Sequence, residues 1–145
     1  MVAHELGHAR HYDVLIGTVL GSAGAVLGVG LLGLVLGRRG LLGRAGVADP
    51  GRPEAVALLL ALVAVASLLA SPVENTISRA LEARADRSAL EATGDFPGFE
   101  AMQVRLAVRS LRDVDPPSWS QFWFGSHPTT VQRLGLARAL EERLR

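Results

Sequence analysis

Residues 14–36 read VLIGTVLGSAGAVLGVGLLGLVL, and none of these 23 side chains is charged. At the rise of an α-helix the run is roughly 34 Å long, which is enough to cross the hydrocarbon core of a bilayer. The run therefore predicts a transmembrane helix. Gly17, Gly21, Gly24 and Gly28 recur along it at helical spacing, and such a stripe favours close approach of a second helix. A loose Gly- and Ala-rich composition would explain the same spacing.

A second uncharged run, residues 55–73, contains 19 residues and predicts a second transmembrane helix. Pro72 near its end is compatible with a helix that continues inside a bundle. Residues 37–54 contain several Gly and Pro residues and four Arg, which is typical of a loop outside the membrane. We expect a hairpin that returns the chain to the side where it began. The competing interpretation is a buried helical hairpin of a large soluble protein.

The composition supports a membrane protein and excludes several classes of site. Hydrophobic residues make up 49% of the chain, and the charges concentrate at the two ends and in the loop. The absence of cysteine excludes disulfides and thiolate metal sites. A net charge of +1 with no basic patch gives no indication of nucleic acid binding, so we expect none.

The stretch before the first apolar run is His4-Glu5-Leu6-Gly7-His8. On a helix, His4 and His8 share one face and can bind one metal ion, while Glu5 beside them can act as a general base. A catalytic zinc site needs three protein ligands, so a third must come from elsewhere. An ordinary amphipathic helix that carries two histidines is the alternative. His11 could reach the metal, but we interpret it as an exposed residue of the last turn.

The region after the second apolar run supplies carboxylates on the same side of the membrane. Residues 75–87 are rich in Ala, Leu and Arg and predict a helix that continues to about Gly94. Glu82 and Asp86 lie one turn apart on it, so Glu82 is a candidate third ligand and Asp86 a candidate partner for a ligating histidine. A solvated helix face, with these acids paired to neighbouring arginines, would explain the same pattern.

Four blocks in this order carry a resemblance to a known family. They are the HELGH stretch with its following hairpin, Ser78-Arg79 with Glu82-x-x-Ala85-Asp86, Ser126-His127-Pro128, and Gln132-Arg133-Leu134. Together they resemble the integral-membrane zinc metallopeptidases of the type-I CAAX prenyl endopeptidase kind. The bacterial heat-shock membrane protease HtpX is similar at the same places.

The resemblance implies one Zn²⁺ per chain, held by His4, His8 and Glu82, with Glu5 as the general base. It also implies that Asp86 supports a ligating histidine and that His127 lies against the substrate backbone or the developing oxyanion. Arg133 matches the family's motif, and we expect a structural role for it. The resemblance also implies a bacterial cell membrane, with the catalytic side in the cytoplasm.

The resulting hypothesis is an all-α integral-membrane helical bundle with two transmembrane helices and a helical zinc-binding catalytic region on one side. Residues 1–145 would form the C-terminal part of one peptidase domain: zinc helix 1–13, spans 14–36 and 55–73, loop 37–54, and third-ligand helix with helical tail 74–145. We expect a CAAX-like endopeptidase acting on peptides or proteins that are membrane-embedded or lipidated. Its other partners would be the bilayer and upstream transmembrane helices that this chain lacks. The alternatives are an HtpX-like quality-control protease and a truncated, non-catalytic membrane fragment.

The last third of the chain predicts a compact helical module. Residues 98–112 have an amphipathic helical pattern, and a final helix should follow Pro128. Between them, Trp119, Phe122, Trp123 and Phe124 precede His127. We expect these rings to pack and position the His127 loop, with an aromatic belt at the level of the lipid headgroups as the alternative.

Overall fold

The computed structural model describes residues 1–145, and all of its regular structure is helical, as predicted. A short 3₁₀ turn, Pro53–Ala55, precedes the fourth helix. The seven α-helices are α1 Val2–Arg10, α2 Asp13–Leu36, α3 Arg39–Arg44, α4 Val56–Thr93, α5 Phe96–Arg109, α6 Ser118–Phe124 and α7 Thr130–Leu144. The chain divides into two compact units, one formed by Met1–Val14 with Ser71–Arg145 and the other by Leu15–Ala70.

The unit Leu15–Ala70 contains most of α2 and the beginning of α4. The most apolar windows of the two candidate spans have mean hydropathies of 2.2 and 2.5, and both helices are long enough to cross a membrane. Only 0% and 6% of these windows are buried, whereas a core helix of a soluble protein would be mostly buried. Nothing lies within 4 Å of a Cβ placed on any of the four stripe glycines, so no other helix of this unit approaches the stripe closely.

The segment 37–54 is more ordered than a simple loop. It contains α3, and Leu42 and Val47 form a small buried cluster with Ala55, against which Leu36 and Leu58 pack. Local burial of these aliphatic side chains explains why a helical turn forms among so many glycines.

Helix α4 is one continuous helix of 38 residues, where the sequence suggested a span followed by a separate segment. It passes Pro72 without interruption, since proline removes a single backbone hydrogen bond from a long ladder. It ends at Thr93, and Gly94 follows with a positive φ of 63°, the backbone conformation that commonly terminates helices.

The other unit has its core where α5 packs on α7 and on the end of α4. Leu90, Phe99 and Ala137 are buried there, and Phe96, Met102 and Leu140 pack around them. Helix α5 begins two residues earlier than the predicted range because the Asp95 carboxylate caps it, accepting a 2.9 Å hydrogen bond from the Gly98 amide. Thr129 and Gln132 form a reciprocal capping box at the start of α7.

Candidate metal centre

Helix α1 lies directly against α4 at Gly7. A Cβ on Gly7 would stand 3.2 Å from both the Cα and the carbonyl oxygen of Ala85, which is fully buried. A side chain here would force the two helices apart by a few tenths of an ångström, so glycine favours this close approach. The contact brings the face of α1 that carries His4 and His8 next to Glu82 of α4.

Three side chains converge at this contact. The Nε2 atoms of His4 and His8 are 3.1 Å apart. One carboxylate oxygen of Glu82 lies 3.6 Å from His4 Nε2, and the other lies 3.7 Å from His8 Nε2. One ligand atom from each residue falls within 4.8 Å of the other two, so the three can share one metal ion.

Both imidazoles are held from behind by carboxylates. His4 Nδ1 lies 2.9 Å from Asp86 Oδ1, and His8 Nδ1 lies 2.8 Å from Asp13 Oδ2. Because an ionised carboxylate only accepts hydrogen bonds, each Nδ1 carries a proton, so it is the Nε2 atoms of the two rings that face each other. Two imidazole nitrogens that meet beside a third carboxylate must share a cation, which is a proton on one Nε2 or a metal ion that replaces it, so the donor set fits a metal ion.

The surroundings of His4 and Glu82 favour positive charge in the same place. Hydrogen bonding to Asp86, and secondly to Glu82, raises the pKa of His4 from the ordinary 6.5 to about 9. In the opposite sense, hydrogen bonding to His4 and to Arg133 holds the pKa of Glu82 far below its usual range. Both groups lie outside the apolar runs, and their pKa shifts favour one positive charge at the place where a metal would bind.

Two arginines fix the carboxylates. Arg133 of α7 donates to Glu82 at 2.7 Å and to Asp86 at 3.0 Å, so one guanidinium orients both the candidate ligand and the partner of His4. Arg84 donates to Asp13, which is only 5% exposed, and secures the partner of His8. A buried carboxylate is tolerated where such a pair neutralises it.

The cluster opens on a cleft of about 380 Å³, which lies entirely within this unit. Glu5 and His127 both line it. The side chain of His127 is 44% exposed, and its Nδ1 lies 3.3 Å from Glu82 Oε2. His11 is separate from the cluster, since its Nε2 lies 2.9 Å from Ser88 Oγ.

Helix α6 positions the His127 loop, but not through its aromatic rings. Trp119, Phe122 and Phe124 are 49% to 67% exposed. Main-chain carbonyls hold the helix instead. The Trp123 carbonyl accepts a 2.7 Å hydrogen bond from the Asn75 side chain, and the Gln121 carbonyl accepts a 3.0 Å hydrogen bond from Arg79. The Gln121 side chain then donates a 2.7 Å hydrogen bond to the His127 carbonyl. The Phe122 ring does pack edge-to-face on Trp123, with ring centroids 5.7 Å apart. For Trp119 and Phe124 the prediction that the rings pack was wrong, because hydrogen bonds to α4 hold the helix instead.

The structure thus brings together every residue predicted for the site, namely His4, Glu5, His8, Glu82, Asp86 and His127. Sequence reasoning missed Asp13, the close contact at Gly7 and the bridging role of Arg133. Asp13 could have been suspected, since an acid one turn or so after a ligating histidine can reach its Nδ1. Neither the contact at Gly7 nor the Arg133 bridge leaves a local signal, because each joins distant parts of the chain.

Comparison with known proteins agrees with this geometry. The model for peptidase family M48 matches residues 1–142. A protease HtpX homolog of Sulfurovum sp. (strain NBC37-1) is 30% identical over 160 aligned positions, which cover 97% of this chain and 54% of that protein. A protease HtpX homolog of Methylibium petroleiphilum is 40% identical over 135 positions, covering 92% of this chain and 43% of that protein.

An uncharacterized metalloprotease of Bacillus subtilis, YhfN, is 31% identical over 136 positions, covering 92% of this chain and 32% of that protein. The chain therefore spans about half or less of the length of these relatives. No solved structure matches the chain.

Proposed function

Because this chain belongs to peptidase family M48, we propose that it forms the zinc-binding part of a membrane endopeptidase that cleaves peptide bonds in the cleft beside His4 and His8. The observation that carries the proposal is the convergence of two Nε2 atoms and the Glu82 carboxylate next to Glu5. The donor set of two imidazoles and one carboxylate is the kind that zinc takes at catalytic sites.

His4, His8 and Glu82 would hold the zinc ion. When bound, zinc supplies Lewis acidity, which polarises the scissile carbonyl and makes water a stronger acid. Asp86 and Asp13 keep the Nδ1 protons in place, so both Nε2 atoms present lone pairs, and Arg133 fixes the Glu82 carboxylate.

Two residues that line the cleft would act on the substrate. The Glu5 carboxylate takes a proton from the attacking water and later delivers a proton to the departing amine nitrogen. His127 lies across Glu82 with a half-exposed ring, and a ring nitrogen that carries a proton can donate to the carbonyl oxygen as negative charge develops there.

For the substrate, we favour unmodified membrane or membrane-associated proteins over prenylated ones. The support is the HtpX name of two of the three relatives above, none of which is named for prenylated substrates. We further propose that the catalytic side faces the cytoplasm and that upstream transmembrane helices complete the protease. The bilayer itself is a partner of α2 and α4, whose apolar faces are exposed.

Glu5→Gln gives the decisive test of the catalytic assignment. In detergent, the zinc-loaded variant should keep its metal but cleave fluorescent casein about 100-fold to 10,000-fold more slowly, because the amide cannot accept a proton. Glu91→Gln is the matched control, since Glu91 is exposed on α4. Equal cleavage by the Glu5 variant would refute the role of Glu5.

Substrate choice and the non-catalytic alternative are tested together. Purified protein should degrade a misfolded membrane protein faster than it trims a farnesylated CAAX peptide. The reverse preference would favour the prenyl endopeptidase reading. A protein that binds zinc but cleaves neither substrate would instead support a non-catalytic membrane fragment.

A further inference from the structure

One face of α5, with the residue that caps the helix, lines the cleft. Met102, Gln103, Leu106 and Ala107 lie on that face, and Ser110 follows one turn later as the C-cap. The other four side chains are apolar or small, and Gln103 places a carboxamide among them.

Gln103 is exceptional among the glutamines of the chain. It is 6% exposed and lines the cleft, yet its carboxamide makes no hydrogen bond within the protein. The other two are engaged, Gln121 with the His127 carbonyl and Gln132 in the cap of α7. Its carboxamide atoms keep contact with solvent in the cleft, since the fully buried side-chain atoms without a partner are Arg84 Nε and Asp86 Oδ2. A nearly buried side chain whose donor and acceptor both open on a cleft is held in place and available to a ligand that lies there.

We propose that Gln103 binds the main chain of the peptide substrate, an inference that rests on the proposed function. Its Nε2 would donate to a substrate carbonyl, and its Oε1 would accept from a substrate amide N–H. Every peptide unit of an extended substrate offers one carbonyl acceptor and one N–H donor, whatever its side chain. One glutamine carboxamide can therefore bind the main chain without selecting a particular sequence.

The neighbours of Gln103 then set the class of substrate. Met102 and Leu106 line the cleft one residue before it and one turn after it, so an apolar substrate side chain can lie against them. Because an unfolded segment exposes main-chain amides together with apolar side chains, the protein should bind extended apolar segments more tightly than folded surfaces whose amides are already paired.

Binding to an inactive protein tests the inference without requiring turnover. The parent is the zinc-loaded Glu5→Gln protein, and the probe is a fluorescein-labelled decapeptide of alanine with a central Phe-Leu pair, followed by anisotropy. Adding Gln103→Leu, which keeps the volume and removes the amide, should weaken binding about tenfold. Arg105→Gln, on the exposed side of α5 and outside the cleft, is the matched control and should leave affinity unchanged.

A backbone scan separates direct contact from an indirect effect. In a series of the same peptide, each amide N–H is replaced in turn by an ester oxygen. At least one ester should bind the parent about fivefold or more weakly, and that ester should cause no further loss in the Gln103→Leu protein, since the contact is already absent. Zinc content and helical circular dichroism confirm that the variants are folded.

Failure of this inference is distinct from failure of the proposed function. Equal affinity of the Gln103→Leu protein for the unmodified peptide, persistence of every ester effect in it, or no peptide binding by the parent overturns the inference. Suppose instead that the Glu5→Gln protein binds the peptide through Gln103, while the zinc-loaded wild-type protein does not cleave casein. That result contradicts the proposed catalysis and leaves the role of Gln103 in binding intact.

Discussion

Zinc binding to this protein should tighten about 50-fold between pH 7 and pH 9. The pKa of His4 is raised to about 9, chiefly by its hydrogen bond to Asp86, and a metal ligand must be neutral. With that pKa, about 1% of molecules have a neutral His4 at pH 7 and about half at pH 9, which gives the ratio. An unperturbed histidine would change the affinity by less than about twofold over the same range.

The assay is competition with a fluorescent chelator that is calibrated at each pH and keeps free zinc low enough to avoid hydroxide precipitation. Calorimetry at pH 7.5 in two buffers of different ionisation enthalpy should give close to one proton released per zinc. Asp86→Asn is the informative variant, because it removes the largest cause of the raised pKa and should flatten the dependence above pH 7. An affinity that is constant from pH 7 to pH 9 in the wild type would refute the reasoning.

Further substitutions test how the site is built. Gly7→Val should lower both the thermal midpoint and zinc affinity, because a side chain there meets Ala85 at 3.2 Å, whereas Gly135→Ala on the open face of α7 should be neutral or stabilising. Arg133→Leu should weaken zinc binding about tenfold to 100-fold by freeing Glu82, while Arg138→Leu, which breaks an exposed pair, should not. Asp13→Asn should weaken zinc binding by a similar factor, since it no longer fixes the His8 tautomer. In chelator, the metal-free protein has its full stabilisation from charged His4 below pH 6.5 and loses it as the pH rises through about 9, so its thermal midpoint should fall over that interval. A midpoint that is flat or rising there, or affinity losses shared by the control variants, would contradict these expectations.

The parts of the fold set by local pattern could be predicted from the sequence. Uncharged length alone predicted both apolar helices, and the spacing of His4 and His8 predicted a shared face. The helical order of the C-terminal region followed from the same kind of periodicity, with errors of a few residues at the ends, where caps such as Asp95 decide.

The features that could not be predicted from the sequence depend on contacts between distant residues. Arg133 bridges two acids 47 and 51 positions away, and no local pattern encodes that contact. The exposed rings of α6 show the same limit, because main-chain carbonyls rather than aromatic side chains join this helix to α4. Glu82 became a candidate ligand only through its position after the second apolar run and through the resemblance of its motif.

The zinc content of the purified protein tests the central claim most directly. After dialysis against metal-free buffer containing detergent, elemental analysis should find about one zinc per wild-type chain and almost none per Glu82→Ala chain. Glu91→Ala, an exposed change on the same helix, should retain the wild-type amount. A wild-type protein that holds no zinc, or a Glu82→Ala protein that holds as much as the wild type, would contradict the assignment of His4, His8 and Glu82 as the metal site.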